Sequence, residues 1–539
     1  MDMRKSAIKK IVKLLYSSCY TGDIVTAQPI SVTPPASARG MTVPGMTTAA
    51  QVHAGARDLV AFLQFNRTYF YPSNVGQWTA DVGYMLLTLS NEMGQHLGQA
   101  LLHTPLFADM SVTDPQSPTI ASNTRDLASM PPLHVETMRY LCGALTSVVL
   151  EGLYGKSAFM VQTCHFCLRN LCPIDPSLGD VVMPFLLSAL HPDAVNQSHM
   201  APASMTAISN IFKALLFPRP IVLQHFEELL LLSLAGIDPS DSQKTLTTMA
   251  MYNSLFTWIP PNSCSADADI TRSLLPPPPQ SLDKVIPPPY LSVASGDSTA
   301  PATSAQTYHD LFLTNVAPVL ATWAPRFIER VLGVMAAKEK SQPGKQQASP
   351  MASYIEESFF RVVSCLSDDV RVGILDQVME FCRSSNAANA AKEVGKLLEG
   401  LLTVQPSLLA EALERIIDED VLSGHCSNDK LTLRLRLIGA CLRRTGGEAV
   451  LANLSKISFA FGDAYKFHSE KSVRKAVCKL LKDLLKGLGS LYTLHPAGSR
   501  LPIEVILGRP SHVATVEVLN LPAVCVLTCV VTVRNVVCV

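Results

Sequence analysis

The best candidate metal ligands in this sequence are two cysteines that enclose a histidine. Cys164 and Cys167 have the spacing of half a zinc site around His165, and Cys172 follows five residues later. A structural zinc site needs four ligands, and no second pair with suitable spacing lies downstream. The same cysteines fit the apolar face of a helix, where cysteine behaves as a small hydrophobic residue. The sequence therefore favours a buried helix face and predicts no metal site.

The motifs of common enzyme classes are missing as well. Gly155-Lys156-Ser157 resembles the end of a phosphate-binding loop, but Leu150 stands where that loop requires glycine. No nucleophile elbow, zinc-protease motif or dinucleotide fingerprint occurs. We therefore predict that the chain is not an enzyme and binds no cofactor. The alternative left open is an unrecognised site that pairs cysteine with histidine, because the chain has 14 Cys and 13 His.

The strongest local charge pattern lies in residues 465–489, where an apolar helical stripe is surrounded by cations. We call the six cations of the amphipathic part of this stretch the basic face: Lys471, Arg474, Lys475, Lys479, Lys482 and Lys486. Four arginines are expected on nearby helices: Arg434, Arg436, Arg443 and Arg444. Together they could attract phosphates or an acidic partner. The sequence favours a solvated outer helix face over such a ligand surface, and calmodulin-type recognition is a weaker third alternative.

The overall charge argues against large polyanionic partners. Lys plus Arg and Asp plus Glu number 44 each, so the chain has no net electrostatic preference for nucleic acid or anionic membranes. We therefore expect no direct nucleic-acid partner and no membrane association. The cysteines lack a regular framework, and the N-terminus is a short basic amphipathic helix rather than a secretory signal, which favours reduced thiols in the cytosol or nucleus.

Apolar residues recur at helical spacing along most of the chain, in blocks of roughly 12–25 residues separated by Pro, Gly, Ser and Asp. About sixteen helices in pairs of roughly 40 residues, without a recurring consensus, are typical of degenerate helical repeats that must stack to bury their apolar stripes. The predicted fold class is therefore all-α, a HEAT- or armadillo-like solenoid with disordered Pro/Ser-rich loops.

Composition divides the chain into five segments. Residues 1–50 hold a basic helix and a low-complexity stretch, 54–261 and 306–492 hold helical repeats, and 262–305 form a Pro-rich insertion expected to be disordered. The last segment, 493–539, is rich in Val and Cys and loses the helical period. Its sequence favours a translated intron or frameshift, with a strand hairpin or a short membrane span as alternatives.

Three passages carry a resemblance to a known family. TYFYPSNVGQWT, residues 68–79, packs aromatics before a turn in which Pro72 breaks the helix and Trp78 begins the next one. Residues 217–260 place a Leu-rich helix before Gly236, an Asp-Pro turn and a capping aspartate at Asp241. Residues 431–454 add a helix, a basic turn and a second helix. Over roughly 54–492 these features resemble the large ATP-independent proteasome activators, the proteasome activator complex subunit 4 family.

This resemblance implies a solenoid that binds the outer α-ring at the end of the 20S core particle and promotes peptide and protein degradation without ATP. It also implies a nuclear and cytoplasmic location, roles in acetylated-histone turnover and DNA repair, and inositol phosphate bound in basic openings. The chain would be the middle fragment of such an activator. Its end, Val537-Cys538-Val539, departs from the family's hydrophobic-Tyr-any-residue motif, which puts gate opening by this chain in question.

A second helical-repeat scaffold fits the same pattern of helices. A karyopherin-like transport adaptor is also an extended solenoid, but its inner helices are expected to be strongly acidic. Acidity in this sequence is limited to residues 411–420. We therefore rank the adaptor second and expect it to differ from an activator by binding a small GTPase rather than the 20S particle.

Overall fold

A computed structural model describes residues 2–20, 22–30, 49–71, 73–76, 78–102, 135–192, 199–216, 221–261, 312, 314–339, 350–384, 391–417, 428–454, 456–457 and 470–489. The Pro-rich insertion 262–305 and the Val/Cys-rich segment 493–539 lie outside these residues. The described part is almost entirely helical and forms stacked helical repeats, which confirms the predicted fold class.

Eleven helices precede residue 340. They are α1 (Asp2–Ser18), α2 (Ala54–Phe65), α3 (Thr79–Leu102), α4 (Val135–Gly152), α5 (Ala158–Ile174), α6 (Gly179–Ser188), α7 (Met200–Leu216), α8 (Ile221–Gln224), α9 (Phe226–Ser233), α10 (Ser242–Trp258) and α11 (Ala317–Glu339) among the described residues. None of the helices in the described part of the chain has the length and apolar character needed to cross a membrane.

Seven described helices follow. They are α12 (Pro350–Ser364), α13 (Asp368–Ser384), α14 (Ala391–Val404), α15 (Leu409–Ile417), α16 (Asn428–Leu442), α17 (Gly447–Ala452) and α18 (Lys471–Gly489). Short 3-10 turns at Pro176–Leu178 and Pro406–Leu408 each lead directly into the next helix. Proline suits the first position of such a turn because that position needs no backbone donor.

The chain divides into two compact units, and each unit includes parts of α10 and α11. In the first unit, α1, α3, α5 and α7 stack side by side in one layer, and α2 and α4 pack against them from a second layer. Polar side chains join neighbours within the first layer. Asn170 on α5 donates to Asn91 on α3 at 2.7 Å, and Lys13 on α1 lies 3.9 Å from buried Glu92 on α3. The apolar core lies between the two layers.

The second unit repeats this design. Helices α12, α14, α16 and α18 stack in one layer, while α13 and α15 pack together in the other. Buried Phe359, Leu398 and Leu437 contribute to its core from three successive helices of the first layer. Each helix pair can bury its apolar stripe only against its neighbours, which is the physical basis of a repeat solenoid.

A small sheet departs from the sequence-based expectation. The low-complexity stretch within residues 1–50 contains β1 (Ile24–Ala27), which pairs antiparallel with β2 (Ala50–His53). The pairing buries Ala27 and Val52, and α4 supports the strand edge because Glu136 accepts a hydrogen bond from the backbone N–H of Gln51 at 2.8 Å. Strands of four residues leave too short an alternation for the sequence pattern to reveal them.

The aromatic corner at residues 66–79 is built around one buried ring. Phe70 is buried within a 3-10 turn, whereas the side chains of Tyr69, Tyr71 and Trp78 are exposed. Asn74 closes the turn by accepting the Gly76 N–H at 3.0 Å. The Trp78 carbonyl oxygen accepts from Val82 at 3.0 Å, which places Trp78 at the start of α3 as predicted. Pro72 lies outside the described residues.

The turn before α10 follows its predicted capping scheme. Asp241 accepts a hydrogen bond from the backbone N–H of Lys244 at 2.9 Å, so Asp241 is the N-cap of the helix. Asp238 accepts from the N–H and the hydroxyl of Ser240, and these hydrogen bonds lower the pKa of the Asp238 carboxyl. Gly236 ends the preceding helix as part of a 3-10 turn at Leu234–Gly236.

Candidate functional site

The basic face lies on α18, the last described helix. All six of its cations occupy exposed positions, while Val473, Ala476, Leu480 and Leu484 are buried against the rest of the second unit. Asp483 is the only acidic residue in this helix, and it is buried. No surface carboxylate of α18 therefore offsets the positive charge of the basic face.

Asp483 belongs to an ion-pair network that spans three helices of one layer. Arg443, directly after α16, donates Nε and Nη2 to the two carboxylate oxygens of Asp483 at 3.1 and 3.2 Å. Its Nη1 donates to Glu399 on α14 at 2.9 Å. Hydrogen bonding to Asp483 raises the pKa of Arg443, and the charge of Glu399 raises it further. The network therefore fixes α14, α16 and α18 side by side.

The four arginines expected near the basic face have different environments. Arg443 is ion-paired with the two buried carboxylates. The Arg444 side chain is two-thirds exposed, and its Nε lies 2.9 Å from Glu399. Arg434 and Arg436 are half-buried on α16. Gly446 has a φ of 99°, which glycine adopts readily, and this lets the chain turn directly after the arginine pair into α17.

Lys479 of the basic face is affected by other cations in its layer of helices. Partial burial lowers the pKa of Lys479, and the charges of Arg443, Arg436 and Lys392 lower it further, although Asp483 acts in the opposite direction. Lys479 therefore lies within electrostatic reach of cations on α14 and α16. The sequence predicts Arg436 and Arg443 near this helix but not Lys392 of α14, because the position of Lys392 depends on which helices stack together.

The structure places the other sequence candidates in structural roles. Cys164, Cys167 and Cys172 are buried in the first unit, and burial raises the pKa of Cys167 and Cys172 to about 12. The described residues contain no group of three or more His, Cys, Asp or Glu side chains that could hold a metal ion. Ser157 of the Gly-Lys-Ser sequence is the N-cap of α5 and accepts from the Met160 N–H at 3.4 Å.

The acidic stretch 411–420 is described only as far as residue 417. Within that part, Glu411 pairs with Arg415 in the same helix, and Glu414 pairs with Lys456. Arg415 also pairs with Asp376 on α13. These acids therefore form ion pairs within and between helices, and they do not form a strongly acidic binding surface.

Comparison with known proteins agrees with the fold and the sequence passages. Residues 117–424 match the family described as proteasome activator complex subunit 4, mid HEAT repeats region. A curated relative, proteasome activator complex subunit 4A of Danio rerio, is 19% identical over 490 residues, which cover 84% of this chain and 23% of the relative. The chain thus spans about a quarter of that relative's length. Since the family match covers more than half of the chain, this chain belongs to the proteasome activator complex subunit 4 family.

Proposed function

We propose that this chain is a solenoid region of a proteasome activator that binds the outer α-ring of the 20S core particle and promotes ATP-independent degradation of peptides and proteins. The family match over residues 117–424 carries the proposal. The two-layer helical stacks supply a scaffold suited to it, because stacked repeats present an extended surface for a large partner. The chain contributes binding surface, and the core particle performs the hydrolysis.

Native gel electrophoresis of purified 20S particles with the full chain tests the binding step. We expect the chain to co-migrate with the particle and to retard its band, whereas a helical-repeat protein of similar size leaves the band unchanged. Hydrolysis of a fluorogenic peptide by the same mixtures reports activation separately. Absence of co-migration at a chain concentration in large excess over the particle would overturn the proposal.

We also propose that the basic face binds inositol phosphate. Six exposed cations on one helix, with the single carboxylate of that helix buried in an ion pair, support an anion as ligand. Calorimetric titration with inositol hexakisphosphate should show binding that weakens when Lys475 and Lys482 are both changed to Gln. Equal affinity of the double variant and the unaltered chain would contradict this assignment.

The proposed location is the nucleus and the cytoplasm, with DNA repair among the processes served. Family membership supports this proposal. Imaging of the fluorescently tagged chain, before and after DNA damage, tests it. Exclusion from the nucleus under both conditions would refute the nuclear part.

A further inference from the structure

Helix α1 has an exposed apolar face in addition to the face that it buries. Its inner face, which includes Val12, is buried where α1 packs against α2 and α3. The outer face holds Met3, Ile11 and Leu14, whose side chains are 88%, 54% and 70% exposed. With exposed Ala7 they follow the spacing i, i+4, i+8 and i+11, so they form one row, which we call the outer stripe. A row of large exposed apolar side chains indicates a surface that binds a partner.

Cations border the outer stripe on both sides. Successive residues of a helix are rotated by about 100°, which places Arg4 at one border of the stripe and Lys10 at the other. Among the described residues, Lys9 and Lys10 form no ion pair, whereas Arg4 and Lys13 each lie 3.9 Å from an acid of α3. In sequence, α1 contains five cations and one carboxylate. The outer surface of α1 is therefore both apolar and positively charged.

These properties select the kind of partner. The neutral charge of the whole chain predicts no attraction to a membrane, but the charges of α1 are not balanced locally. A second copy of the chain is opposed, because two facing α1 helices would bring like charges together. A stable protein–protein interface buries about 800 Å² on each partner, and three aliphatic side chains supply only part of that area. An anionic lipid surface needs no matched shape, and it attracts cations while it takes up apolar side chains.

We propose that the outer stripe of α1 binds the surface of an anionic lipid bilayer, with Ile11 and Leu14 below the headgroups. In this arrangement α1 lies parallel to the membrane plane, as basic amphipathic helices do. Lys10 then lies beside the lipid phosphates, and the other cations of α1 lie within about one helix diameter, comparable with the range of the surface potential. The inner face stays packed in the first unit, so the chain attaches without spanning the bilayer. The proposal is independent of the basic face and of binding to the 20S particle.

Co-sedimentation of the full chain with sucrose-loaded vesicles tests this proposal. The anionic vesicles contain two parts phosphatidylcholine to one part phosphatidylserine, and pure phosphatidylcholine vesicles are the comparison. We expect binding to the anionic vesicles to be at least about tenfold tighter, and to weaken at raised salt because screening reduces the attraction of the cations. Equal binding to both kinds of vesicle, or binding to neither, would overturn the proposal.

Two substitutions separate the apolar and the charged contribution of α1. Leu14→Gln should weaken binding to the anionic vesicles by about tenfold, because one inserted apolar side chain is lost. Its matched control, Leu231→Gln, changes an exposed leucine of α9 and should alter the affinity by less than about twofold. Lys10→Gln should weaken binding by about fivefold, whereas Lys156→Gln, at another exposed lysine of the first unit, should not. Equal effects of a variant and its control would contradict the assignment to α1.

Hydrogen–deuterium exchange of the unaltered chain locates the contact without any substitution. The anionic vesicles should slow exchange in α1 and leave exchange in α9 unchanged, because only α1 contacts the lipid. Slower exchange confined to α18 would assign the lipid contact to the basic face and would overturn the proposal for α1.

Discussion

Arg443 shows how one side chain can connect helices that are distant in sequence. Asp483 and Glu399, its two partners, lie on α18 and α14, and both carboxylates are buried. A buried carboxylate costs several kcal/mol unless a cation compensates for its lost hydration (about 3–5 kcal/mol when one partner is removed). Arg443 therefore stabilises the stack chiefly because its charge compensates for the lost hydration of two buried carboxylates.

Replacing Arg443 with Met should destabilise the second unit by about 3 kcal/mol, because Asp483 loses its cation while the side-chain volume is retained. Urea unfolding followed by circular dichroism measures the effect. Arg474→Met, at an exposed position of α18, should change stability by no more than about 0.5 kcal/mol. Equal unfolding midpoints for the two variants would show that the network contributes nothing.

His165 makes the first unit sensitive to acid. Its Nε2 lies 3.0 Å from the carbonyl oxygen of Ala203, and burial lowers the pKa of His165 below its ordinary value of 6.5. The unfolded chain therefore binds a proton at higher pH than the folded chain does. The stability is fully present above pH 6.5 and decreases as the pH falls from 6.5 to the lowered pKa.

His165→Gln should flatten this dependence, because the variant has no proton to gain at that position. Unfolding free energies measured between pH 7.5 and 5 should fall by at most about 1.4 kcal/mol per pH unit more in the unaltered chain than in the variant. The exposed His199 provides the matched control, and His199→Gln should retain the original slope. A His165→Gln profile that parallels the original would refute the argument.

At the scale of elements, two glycines let stacked helices approach each other closely. A side chain at Gly487 of α18 would place its Cβ 2.1 Å from the carbonyl oxygen of Leu442 at the end of α16. At Gly395 of α14 the Cβ would lie 2.9 Å from the Cβ of Ala440 on α16. These two positions allow α16 to pack tightly between its neighbours, and the ion-pair network of Arg443 depends on that spacing.

Gly487→Ala should therefore destabilise the second unit by about 1–3 kcal/mol, because the backbone of Leu442 cannot move without disturbing α16. Gly373→Ala on α13 is the control, since a Cβ there meets nothing within 4 Å. That change should stabilise the chain by about 0.5–1 kcal/mol, because alanine favours the helical backbone. Thermal melts of both variants measure the effects, and a shift of the same sign in both would contradict this account.

At the scale of the whole molecule, stability arises from contacts between successive repeats. In the second unit, each of α14 and α16 lies between two neighbours of its layer, and ion pairs such as Arg415 with Asp376 join neighbours in the other layer. Stability in such a stack is approximately a sum of repeat terms and nearest-neighbour terms. A local defect should therefore weaken its neighbours most and more distant repeats less.

Leu435→Ala tests this expectation, because Leu435 is buried in α16. The cavity should cost about 2–5 kcal/mol. Hydrogen–deuterium exchange with mass spectrometry should show the largest loss of protection in α16 and its neighbours α14 and α18, with a smaller loss in α12. Lys475→Ala, on the exposed side of α18, should leave all four helices protected, and a uniform loss across them in Leu435→Ala would indicate that the unit unfolds as one.

The sequence by itself determined the all-α repeat fold and the family. The N-cap at Asp241 and the exposed cations of α18 depend on neighbouring residues, so periodicity and turn-forming residues reveal them. Only the tertiary structure decided which charges meet: Arg443 lies 40 residues from Asp483 and 44 from Glu399. It also decided the pairing of β1 with β2. These features depend on contacts between residues far apart in the chain, and such contacts leave no periodic signal in the sequence.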